Sequence, residues 1–74
     1  MRYFEIDMSN SEGDTYSMCI KATHTPTKEE VKIFLRKDME NFGYTKIDTI
    51  VETSLEEARN FYDMENEKEF PVLE

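Results

Sequence analysis

A single cysteine, Cys19, and a single histidine, His24, are the residues whose chemistry is easiest to name. A thiolate and an imidazole form a nucleophilic pair only within hydrogen-bonding reach of each other. Cys19 falls in a stretch of alternating character and His24 lies past its end, at about 3.3 Å of strand rise per residue. His24 is therefore read as a loop residue beside Thr23 and Thr25. One cysteine and one histidine also cannot assemble a zinc centre of the usual Cys/His types within one chain. Carboxylate neighbours such as Glu29 with Glu30, or Glu56 with Glu57, are expected by chance when 17 of 74 residues are acidic, so they mark no general acid and base. The segment Asp7–Asp14 has the acidic composition of a calcium loop, but Gly13 comes one position late and no helices flank it, so a hairpin turn is the better reading. Gly13 and Gly43 are the only glycines, which excludes a Gly-rich phosphate loop. The expectation is a chain that is not an enzyme and carries no cofactor and no metal.

These residues sit in a chain long enough for one domain, 1–74, and one modest core, since a domain of this size buries only about 60% of its unfolded surface. One cysteine excludes an internal disulfide and fits a reducing compartment, the cytoplasm. Glu5 and Asp7 interrupt what a secretory signal would need to be apolar, and no run approaches the length of a membrane span. The net charge of −8 opposes direct binding to nucleic-acid phosphates and favours basic partners.

Phe4, Ile6 and Met8 alternate with Tyr3, Glu5 and Asp7, and Tyr16, Met18, Ile20 and Ala22 alternate with Thr15, Ser17, Cys19 and Lys21. Period two on either side of a polar cluster predicts a β-hairpin. Thr27 and Glu30 form a capping-box pattern after Pro26. Val31, Phe34, Leu35, Met39 and Phe42 then form one helical stripe that Gly43 ends. Residues 44–53 are β-branched and read as a third strand, with Ile47 and Val51 toward the core and Asp48 and Ile50 away from it. Ser54 and Glu57 suggest a second capping box, followed by a helix with Leu55, Ala58, Phe61 and Tyr62 inward and its end near Asn66. Residues 67–74 read as a loosely packed acidic tail in which Phe70, Val72 and Leu73 suit a short edge strand, with Pro71 removing one donor. The fold expected is a single α+β domain in β-β-α-β-α order: a three-stranded antiparallel or mixed sheet with two helices on one face.

Residues 52–74 carry eight acids against two bases, so most of the charge surplus is in the last third. Glu52, Glu56, Glu57, Asp63, Glu65, Glu67 and Glu69 are the candidate partner-binding residues, with Glu56, Asp63 and Glu67 able to share one helix face. Helix turns repeat at about 5.4 Å, the same order as the spacing of phosphates along a nucleic-acid strand. In size, charge and the acidic stretch from Glu52 to Glu69, the chain resembles phage-encoded inhibitors of host defence or DNA-handling proteins, DNA mimics and anti-CRISPR-like proteins among them. The resemblance implies a cytosolic partner, a nucleic-acid-binding protein or effector nuclease, blocked by occlusion. The alternative is a homodimeric structural or assembly protein of phage or bacterial origin that associates through Tyr3, Ile33 and Ile50.

Overall fold

A computed structural model of the chain describes residues 1–62 and 70–74, with residues 61 and 62 described by backbone alone. Strands β1 (Arg2–Ser9) and β2 (Thr15–Ala22) form the expected antiparallel hairpin, in which Phe4 faces Ile20, Ile6 faces Met18 and Met8 faces Tyr16. Asn10 organises the turn. Its Oδ1 accepts from the N–H groups of Glu12 and Asp14, both at 3.0 Å, and Gly13 takes the positive φ of 87° that a side chain would resist.

The capping box forms as the spacing requires: Thr27 Oγ1 accepts from the Glu30 N–H, and Glu30 Oε1 accepts from the Thr27 N–H, both at 3.1 Å. The helical stretch that follows is divided at Leu35 into α1 (Lys28–Phe34) and α2 (Arg36–Phe42). Leu35 departs from helical torsions, with φ −96° and ψ 13°, yet its N–H still donates to Val31 and its carbonyl still accepts from Met39. Val31, Leu35 and Met39 are buried along the stripe, while Phe42 at its end is 69% exposed, contrary to the inward position its spacing predicts. Gly43, at φ 78°, turns the chain out of the helix.

Strand β3 (Lys46–Thr53) lies antiparallel to β1 with one irregularity: Asp7 pairs with Thr49 and Met8 with Ile47, leaving Asp48 as an extra residue. A bulge of this kind reverses the side to which later side chains point. Ile47 is therefore buried and Ile50 packs against the same core, whereas Val51 is 51% exposed. The expected grouping of Ile47 with Val51, and the outward placement of Ile50, are both corrected by that one residue.

Helix α3 (Leu55–Tyr62) is capped by Ser54, whose Oγ accepts from the Glu57 N–H at 3.1 Å. Its expected end near Asn66 lies outside the described residues, as do the side chains of Phe61 and Tyr62. The helix packs on the sheet face opposite α1 and α2. Ala58 and Leu55 meet Cys19 and Tyr3, which point away from the side of Phe4 and Ile20. The expectation that the helix after Thr27 and the helix after Ser54 cover one face of the sheet is therefore corrected: they lie on opposite faces. The physical reason is occupancy: α1 and α2 already cover the apolar side, and Tyr3 with Cys19 leaves a second, smaller apolar area to bury.

Strand β4 (Val72–Leu73) runs parallel to β2 and completes a four-stranded mixed sheet in the order β3-β1-β2-β4. Pro71, which has no N–H to give, precedes it and accepts from the Lys21 N–H at 2.9 Å. Phe70 and Leu73 are buried, so the described end of the chain is packed, not loose. The chain is thus one α+β domain.

Candidate functional site

Of the seven candidate carboxylates, the structure describes three. Asp63, Glu65, Glu67 and Glu69 lie outside the described residues. Glu52, near the end of β3, is held by Arg2 through two hydrogen bonds of 2.9 Å, and this contact keeps its carboxyl below the usual range while raising the guanidinium. Its charge is answered within the chain. Glu56 and Glu57 are exposed in the first turn of α3, where negative charge suits the helix dipole, and Glu57 accepts the Thr53 hydroxyl at 2.7 Å.

The placement of α3 gives these two acids company that the sequence alone did not disclose. Glu5 and Asp7 point to the same side of the sheet as Tyr3 and Cys19, the side on which α3 lies. Asp7 accepts hydroxyl hydrogen bonds from Ser17 at 2.5 Å and Thr49 at 2.6 Å, which satisfy its oxygens without neutralising it. Among the described residues no ion pair reaches Glu5, Asp7, Glu56 or Glu57. The pairs that do form are Arg2 with Glu52, His24 with Glu30, Arg36 with Glu40 and Lys46 with Asp48. On the other side, α1 and α2 carry Lys28, Lys32, Arg36 and Lys37 against Glu29, Glu30, Asp38 and Glu40, which balance.

The three residues named for self-association are not gathered. Tyr3 is half-buried with its ring edge-on to Phe70 at 6.2 Å, Ile50 is half-buried against the larger core on the opposite face, and Ile33 is 69% exposed on the outer side of α1. His24 is exposed and lies 2.9 Å from Glu30, whose carboxyl is held low by that contact and by the Thr27 N–H. Cys19 is 2% exposed, and burial pushes its thiol pKa up, the opposite of what nucleophilic attack requires. Among the described residues no three metal-ligating side chains converge, and no helix is long and apolar enough to cross a membrane.

One constellation was missed in the sequence. Gly43 turns the chain so that Tyr44 stacks on Tyr16, with ring centroids 5.7 Å apart and planes 18° apart. Asn10 ties the hairpin to this corner by donating from Nδ2 to the Gly43 carbonyl at 3.1 Å, and the Thr45 N–H donates to Ser9 at 3.0 Å. A pocket of about 190 Å³ results, lined by Met8, Tyr16, Met18, Asp38, Phe42 and Tyr44. The signal available beforehand was the Phe-Gly-Tyr step itself, an aromatic residue on either side of a helix stop. A larger groove of about 500 Å³ follows the outer flank of α1 and α2, where Glu29, Lys32, Arg36 and Glu40 mix both signs of charge around Ile33.

No family model, curated protein or solved structure matches the chain.

Proposed function

We propose that this chain is a non-catalytic binding protein that occludes the basic, nucleic-acid-binding surface of another protein, in the manner of small acidic inhibitors and DNA mimics. The observation that carries the reading is the group of carboxylates on the α3 side, Glu5, Asp7, Glu56 and Glu57, none of which is held in an ion pair among the described residues. Uncompensated surface charge of one sign accelerates encounter with a partner of the other sign and sets its orientation. A net charge of −8 acts in the same direction over longer range.

The test is capture of partners on the tagged chain in bacterial lysate, identification by mass spectrometry, and elution with rising salt. A basic nucleic-acid-binding protein should be retained at low salt and released at high salt, and the chain should block its binding to duplex DNA. The triple variant Glu5→Gln, Glu56→Gln, Glu57→Gln should slow association on the order of tenfold. Retention indifferent to salt and to these substitutions contradicts the proposal.

A further inference from the structure

We propose that the pocket between Tyr16, Phe42 and Tyr44 receives an arginine side chain from the basic protein partner, an inference that rests on the function proposed above. Phe42 is 69% exposed at the end of an otherwise buried stripe, and Tyr16 beside it is 48% exposed. Adjacent exposed rings are the composition of a contact surface, whereas scattered single apolar residues are ordinary. The Tyr16 and Tyr44 rings are nearly parallel, so a flat, delocalised guanidinium can extend the stack and meet an electron-rich face. The chain already uses such a contact, with the guanidinium carbon of Arg2 5.3 Å from the centre of the Phe4 ring.

Charge selects the occupant. Among the described residues, Asp38 is the only charged side chain lining the pocket, and it enters no ion pair. Its carboxylate matches a guanidinium fork, while Met8 and Met18 offer polarisable walls to the methylene stem. The corner is held in place by the Asn10 and Thr45 hydrogen bonds, so less ordering has to accompany binding.

The probe is N-acetyl-argininamide, titrated into the full chain while the ring signals of Tyr16, Phe42 and Tyr44 are followed by NMR, with the neutral N-acetyl-citrullinamide as its control. The arginine compound should shift these signals saturably and the citrulline compound should not. Asp38→Asn should weaken the response roughly fivefold and Phe42→Ala should abolish it. Both side chains are exposed, so the variants should melt as the parent does. Equal response to the two compounds, or none at about 100 mM, overturns the pocket. The two proposals fail separately: argininamide binding alongside salt-indifferent capture removes only the acidic-face reading. Salt-sensitive capture unchanged by Asp38→Asn and Phe42→Ala removes only the pocket.

Discussion

Phe4, Ile6, Met8, Ile20 and Ala22 lie under α1 and α2 and join Val31, Leu35, Met39, Ile47 and Leu73 in a ten-residue core. Among the described residues, the opposite face buries Cys19, Ala58 and Phe70 under α3, edged by Tyr3 and Leu55. Since burial of apolar surface contributes roughly 25 cal/mol per Å², the described residues of the first face contribute more to stability than those of the second. Their charges differ in the opposite sense. The thicker side carries equal numbers of basic and acidic side chains on α1 and α2, while on the thinner α3 side Glu5, Asp7, Glu56 and Glu57 enter no ion pair among the described residues. The lesson is that one sheet can concentrate its buried apolar residues on one side and its unpaired acids on the other, because a face with fewer core residues has room for charges that repel one another.

The largest effect should come from the thick side. Ile6→Ala removes a fully buried branch from the centre of the core and should cost about 2–5 kcal/mol, a large share of a small domain's stability. Thermal melting followed by circular dichroism measures it, and a parent-like midpoint would break the comparison. On the thin side, Cys19→Ser places a hydroxyl where the thiol is 2% exposed, and should cost about 1–3 kcal/mol. Hydrogen exchange sharpens this case: the amides of α3 should lose protection before those of α1 and α2. Uniform loss would mean that the two faces open as one unit.

The smallest effect is electrostatic. Glu30 and Glu52 both titrate below the ordinary carboxylate range, Glu30 mainly through His24 and Glu52 mainly through Arg2. A depressed folded-state pKa contributes stability that is fully present above the unfolded value, about 4.3 for Glu, and is lost as pH falls through the folded value. The double variant Glu30→Gln, Glu52→Gln should therefore melt slightly below the parent at pH 7, with the gap closing toward pH 3. A gap of equal size at both pH values would assign these residues another role. Both pairs are exposed, so the shift is expected to be modest.

Local rules carried the sequence reading a long way. Alternation located β1 and β2, the Thr27 and Glu30 spacing located the start of α1, Gly43 located the end of α2, and Phe70, Val72 and Leu73 around Pro71 indicated β4. At the candidate site, the exposure of Glu56 and Glu57 in a first helical turn was equally legible. The pairing of Arg2 with Glu52 was not, because the residues are 50 positions apart and meet only through the register of β1 and β3.

Each element's type and limits followed from neighbours within one or two turns or strand repeats, where side-chain geometry and backbone hydrogen bonding act directly. Which side of the sheet each element serves was decided later, in three dimensions. Asp48 entered β3 as an extra residue and exchanged the roles of Ile50 and Val51, and α3 took the face that α1 and α2 had left uncovered. Phe42 kept its helical phase but met a pocket wall instead of a lid. Such outcomes depend on competition among distant segments for the same apolar surface, a contest that periodicity within any one segment does not encode.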